Sequence, residues 1–170
     1  MELLLMEGTL SGDGLGGIEQ IRKEVNALEN GLRYLENRFA DPEREIVSAL
    51  DVFNQWKSRY GAISDDSITW EYSFNNVSIN VDMRIVADTL CEWLSGMKRV
   101  SPVKVFGELK EDQICFRVEL EAAPGGADCN VNSLPPGFID LIKSNGGSYR
   151  EKEPSAGDKT GGVCCFPVVH

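Results

Sequence analysis

Residues 68–97 read ITWEYSFNNVSINVDMRIVADTLCEWLSGM, and their hydrophobic period changes once, at Asp82. Ahead of it, Ile68-Thr69-Trp70-Glu71-Tyr72 and Val77-Ser78-Ile79-Asn80-Val81 alternate at period two, the pattern of half-buried strands. Behind it, Ile85, Val86, Leu90, Trp93, Leu94 and Met97 share one face of a helix predicted from about Met83 to Arg99, with Asp82 as its cap. Short strands running into one amphipathic helix predict an α+β fold.

Downstream, Val103 to Leu109 and Gln113 to Leu120 read as a hairpin turning at Lys110-Glu111-Asp112. A loop rich in Gly, Pro and Asn follows, from Ala123 to Pro136. A short helix is predicted from Gly137 to Ser144, stopped by Asn145-Gly146-Gly147. Residues 148–151 and 162–168 read as strands around a loop at Pro154 to Thr160, so the predicted domain over residues 65–170 has helices on one face of a mixed sheet.

Upstream, Ile18, Ile21, Val25, Leu28, Leu32, Leu35 and Phe39 are separated by alternating steps of three and four, an a/d heptad seam. Asp41-Pro42 reads as a helix restart, with Ile46, Leu50, Phe53, Trp56 and Tyr60 on the stripe of a second helix ending near Gly61. The expectation is an antiparallel helical hairpin over residues 18–62, preceded by a flexible, glycine-rich N-terminus at residues 1–17. Two such hairpins packed as a four-helix bundle bury both stripes, which predicts a homodimer through Ile21, Val25, Leu28, Leu32, Leu35, Ile46, Leu50 and Phe53. The alternative is that the seams pack on the rest of their own chain.

Composition narrows the chemistry. The chain has 170 residues, 42% of them hydrophobic, and 17 Lys+Arg against 27 Asp+Glu give a net charge of −10. That balance disfavours nucleic acid or an anionic membrane as the main partner. The single histidine, His170, is the last residue of the sequence, which argues against Ser-His-Asp and Cys-His catalysis and against multi-histidine zinc sites. Cys91, Cys115, Cys129, Cys164 and Cys165 form no C-x-x-C pair, so unpaired thiols in a reducing, cytoplasmic compartment are expected. Cys164-Cys165 point to opposite faces of a strand and read as packing residues.

The element order, a helical hairpin and then strand, helix, two strands, loop, helix and two strands, resembles the dimerisation and ATP-binding core of sensor histidine kinases. Asp82 leading through Trp93-Leu94-Ser95 to Ser101-Pro102 is similar to that family's N-box helix, and Asn145-Gly146-Gly147-Ser148 with Glu153-Pro154, Gly157 and Phe166-Pro167 is similar to its closing stretch. The resemblance implies an ATPase-like α/β sandwich after the hairpin. It also implies that the chemical parts are degenerate. At the two N-box asparagines stand Glu92 and Gly96, and glycine has no side-chain oxygen for magnesium. The adenine-reading D-x-G-x-G box becomes Glu121-Ala122-Ala123-Pro124-Gly125, and the hairpin has no histidine to phosphorylate.

The expected function is therefore a non-catalytic docking protein of a bacterial two-component-type pathway, with no catalytic, cofactor or metal residues. The resemblance implies that a response-regulator receiver domain docks on the exposed hairpin face carrying Arg22, Glu29, Arg33 and Glu36. The alternative is a phosphotransferase-like or residual nucleotide-binding protein using the cleft between residues 92 and 137, with Glu92 and Glu121 the carboxylates at former catalytic positions.

Overall fold

The computed structural model describes residues 12–63, 68–97, 103–121, 134–151 and 159–170. In chain order the elements are α1 (Gly12–Asn37), β1 (Glu45–Ser48), α2 (Ala49–Gly61), β2 (Ile68–Ser73), β3 (Ser78–Val81), α3 (Met83–Gly96), β4 (Val103–Lys110), β5 (Gln113–Glu121), α4 (Phe138–Ser144), β6 (Ser148–Glu151) and β7 (Lys159–Val169). Expectations for residues 1–11, 64–67, 98–102, 122–133 and 152–158, including most of the long loop, Ser101-Pro102, the Ala122 to Gly125 box and Cys129, lie outside the described residues.

One sheet runs β1-β3-β7-β5-β4-β2, with β6 paired to β7. Every pairing is antiparallel except β2 with β4, so the sheet is mixed as expected. Alternation sorts its residues cleanly. Val103, Val105, Ile114, Phe116, Val118, Leu120, Cys164 and Phe166 are buried against α2, α3 and α4 in one core. Lys104, Phe106, Glu108, Cys115, Arg117 and Glu119 alternate with them and face the other way. There the Arg117 guanidinium lies 4.5 Å from the centre of the Phe106 ring and pairs with Glu108 and Glu119.

The most buried helix is α3, in which Ile85 to Cys91, Trp93 and Leu94 are all buried. Burying each large apolar side chain is worth roughly 1.5–3 kcal/mol, so α3 organises the core. Its N-cap is Asp82, whose Oδ1 accepts from the Ile85 amide at 3.1 Å while Oδ2 accepts from the Glu43 amide at 3.2 Å. The Asp82 amide in turn donates to Asn145 Oδ1 at 2.8 Å, which ties the end of α4 to the start of α3.

The predicted hairpin is corrected. Asp41-Pro42 opens no helix; β1 pairs Glu45 with Val81 through Ser48 with Ser78, and α2 starts at Ala49, whose amide bonds the Val77 carbonyl at 2.9 Å. Ile46 therefore sits on a strand and is 65% exposed, while Phe53 is 2% exposed. The Phe53 ring is packed with Trp56, Trp70, Tyr72, Phe74 and Phe116, and Leu50 is partly buried against the same core. The stripe on α2 is thus spent within its own chain, and neither Phe53 nor Leu50 is free for a second copy. The glycine-rich lead-in is shorter than expected too, because α1 begins at Gly12.

The cysteine expectation changes as well. Cys115 and Cys165, directly opposed on β5 and β7, form a disulfide, while Cys91 and Cys164 are free and buried. Strand register brought together two thiols that lie 50 residues apart in sequence. Burial pushes the Cys91 thiol up to about 12 and raises that of Cys164 as well.

Asp88, 2% exposed on α3, forms an ion pair with Arg59 of α2 and accepts from Asn37 Nδ2 of α1 at 3.0 Å. Removing one partner of a buried pair leaves the other charge uncompensated. Asp88→Ala is expected to lower the unfolding free energy by about 3 kcal/mol, read from the urea midpoint at constant slope.

Candidate functional site

On α1, polarity faces inward. Among its described residues Asn30, Tyr34 and Asn37 are the buried ones, spaced by four and three so that they share one face. The Tyr34 hydroxyl donates to the Pro136 carbonyl at 2.9 Å, and its ring packs with Ile85 and Leu141. Asn26 Nδ2 donates to the Ala62 carbonyl at 3.0 Å, just past α2. Specific hydrogen bonds thus hold α1 on the body, and the heptad seam points the opposite way. Ile18, Ile21, Val25, Leu28, Leu32, Leu35 and Phe39 are all exposed, Leu28 at 70% and Leu32 at 61%. Large apolar residues in an unbroken row on a surface mark an interface more often than an ordinary solvated face.

A groove of about 680 Å³ runs between α1 and the segment before α4, lined by Leu28, Gly31, Leu32, Tyr34, Leu35, Arg38, Glu92, Pro135 and Pro136, with Glu24 and Ala27 at its edge. Its walls are apolar apart from a few polar groups. Burial raises the Glu92 carboxyl above its ordinary range, and burial pushes the Tyr34 hydroxyl up to about 12, with Arg38 acting in the opposite sense and Glu92 in the same one. Such a groove suits apolar side chains accompanied by one hydrogen-bond donor or cation that satisfies Glu92.

The four residues expected to bind a partner all lie exposed on α1. Arg22, Glu29 and Glu36 are seven apart and flank the seam, and Arg33 approaches Glu29 at 3.7 Å one turn on. They form one stripe of alternating sign beside the apolar row. The buried polar face of this helix, Asn30, Tyr34 and Asn37, two of which carry its hydrogen bonds to the body, was missed in sequence. Their spacing of four and three was the available signal, but polar side chains at helical spacing read as solvated.

Glu92 sits in the groove, whereas Gly96 is exposed at the end of α3. No cluster of three or more metal-capable side chains occurs among the described residues. A magnesium-triphosphate group needs several oxygen donors and cationic partners. At the two N-box positions the chain offers one half-buried carboxylate of raised pKa and no second side-chain oxygen, and among the described residues the only cation lining the groove is Arg38. These residues do not fit that group, and no step is derived through it. Glu121 ends β5, paired in register with Lys159 of β7, and so lies on a different element from Glu92.

The fold is that of histidine-kinase catalytic domains. The mycobacterial sensor histidine kinase MprB superposes with a TM-score of 0.53 at 13% identity, over 74% of this chain and 97% of that one. Histidine kinase AdeS of Acinetobacter baumannii gives 0.57 at 16% identity, over 84% and 77%. Histidine kinase ThkA, in a structure of its complex with the response regulator TrrA, gives 0.50 at 13% identity over 87% of this chain and 51% of that one. No protein-family model and no curated protein matches the sequence.

The raised carboxyl of Glu92 gives a pH test. A folded-state value above the unfolded one means that the native state holds the proton more tightly, so stability is lost as pH rises from the ordinary glutamate value of 4.5 through the raised one. Glu92→Gln removes that loss. Urea unfolding at a series of pH values is expected to show the variant gaining on the parent as pH rises above the ordinary value of 4.5, with no gain well below it.

Proposed function

We propose that the chain is a non-catalytic docking protein of a bacterial two-component-type signalling pathway, acting as a homodimer. The exposed apolar seam of α1 is the observation that carries this reading. A helix fastened to its body by buried hydrogen bonds has no reason of stability to display seven large apolar residues to water. A second copy of the chain covers them, now through α1 alone rather than through a pair of hairpins. The charged stripe of Arg22, Glu29, Arg33 and Glu36 then forms the rim on which a receiver domain docks. The complex of ThkA with a response regulator supports that class of partner, on a shared fold and at low identity.

The poor fit of Glu92 and Gly96 to a magnesium-triphosphate supports a role without catalysis. A second reading is favoured by the groove itself, which joins Glu92 to Pro135 and Pro136 along the cleft between residues 92 and 137. In that reading the chain retains nucleotide binding or a phosphotransferase-like role.

Calorimetric titration separates the two. With magnesium and a non-hydrolysable ATP analogue, the docking reading predicts no heat of binding up to millimolar ligand, and micromolar affinity contradicts it. With receiver domains from the source cell, the parent is expected to bind one of them, and Arg22→Glu with Arg33→Glu to weaken that binding tenfold or more. Rim charges act mainly on association rate, so the parent's binding should also weaken with salt.

A further inference from the structure

The outer face of the sheet carries a feature that the docking reading does not use. Cys115 and Cys165 occupy directly opposed positions of β5 and β7 with Cα atoms 4.1 Å apart, the close-spaced kind of antiparallel pairing position. Both point away from the core, since their neighbours Ile114, Phe116, Cys164 and Phe166 fill it, and although they are only 3% and 4% exposed, both border the cavity on that face. They line a cavity of about 370 Å³ together with Lys110, Glu111, Gln113, Arg150, Glu151 and Val163. The lining is of mixed charge: Lys110, which pairs with Glu108, and Arg150 stand with Glu111 and Glu151, a polar surround that a small charged thiol or disulfide can enter. Cys91 and Cys164 are held in the core with thiols raised by burial, which leaves them inert.

We propose that Cys115 and Cys165 form a reversible thiol–disulfide modification site, opened and closed by low-molecular-weight thiols and disulfides entering this cavity. In the opening direction a thiolate of a small dithiol attacks one sulfur, the Cys115–Cys165 bond breaks, and a mixed disulfide forms. The reductant's second thiolate then displaces the protein sulfur. Both cysteines leave as thiols with two protons and two electrons gained, and the reductant leaves as its own disulfide. Closing runs in reverse, with a small disulfide such as oxidised glutathione accepting the two electrons. The β5–β7 ladder extends from Gln113 opposite Pro167 to Glu121 opposite Lys159, so the sheet stays paired in either state. The proposal stands apart from the docking reading, and either can fail without the other.

The test uses the whole folded chain. Protein reduced with dithiothreitol and desalted is incubated with excess oxidised glutathione, trapped with N-ethylmaleimide and digested for mass spectrometry. The expected product is a peptide linking Cys115 to Cys165, two hydrogens lighter than its reduced parts. Dithiothreitol without denaturant should reopen it while the far-ultraviolet circular dichroism stays constant. Cys165→Ser should abolish the linkage and leave the dichroism unchanged. The proposal is overturned if oxidation yields no such peptide, if Cys129 is linked in preference, or if reopening requires denaturant.

Discussion

The fold of this chain turns on one buried carboxylate. Asp88 lies inside α3, the most enclosed helix, and is matched by Arg59 from α2 and Asn37 from α1. Three helices therefore meet at a single charge that water does not reach. Satisfying it requires the polar face of α1 to lie inward, and a helix has only one opposite side. The apolar seam is turned outward as a direct consequence, so the interior pairing and the proposed interface are two sides of one constraint. The Tyr34 hydroxyl on Pro136 and the Asn26 amide on Ala62 fix the same orientation at two further points.

This arrangement divides labour between the helices. The stripe of α2 goes into the core, where Phe53 stacks on Phe116 and both Phe53 and Trp56 meet Trp70 edge to face. The stripe of α1 stays on the surface, and in the proposed homodimer a second copy covers it. A bundle of two hairpins is thus replaced by a body of sheet and three helices bearing one displayed helix. The groove beside that helix, with Glu92 half-buried in it, lets any partner covering the seam also reach the carboxylate.

Much of the sheet and core was legible in the sequence. The strands from Ile68 to Tyr72 and from Gln113 to Leu120 alternate at period two, and the stripe from Ile85 to Met97 holds helical spacing, because each has one face in the core and composition records it. The strand at Glu45 to Ser48 was not legible. Ile46 and Leu50 happen to be four apart, so a short strand running directly into a helix looks like one longer helix. Its identity depends on the pairing edge of β3, a non-local fact. The orientation of α1 was hidden for a related reason: Asn30 and Asn37 look like surface residues until α1 is docked and Asp88 is placed against Asn37. The disulfide was hidden by register, since nothing local relates Cys115 to Cys165. At the candidate site the stripe of Arg22, Glu29, Arg33 and Glu36 could be read from spacing, whereas the groove joining Glu92 to Tyr34 and Pro136 exists only once α1 has docked.

The central claim is that the outward seam of α1 is an interface between two copies of the chain. Light scattering on the purified protein at micromolar concentration tests it most directly. The account predicts a particle of twice the mass of one 170-residue chain. A particle with the mass of a single chain, under conditions where the protein is folded, contradicts it.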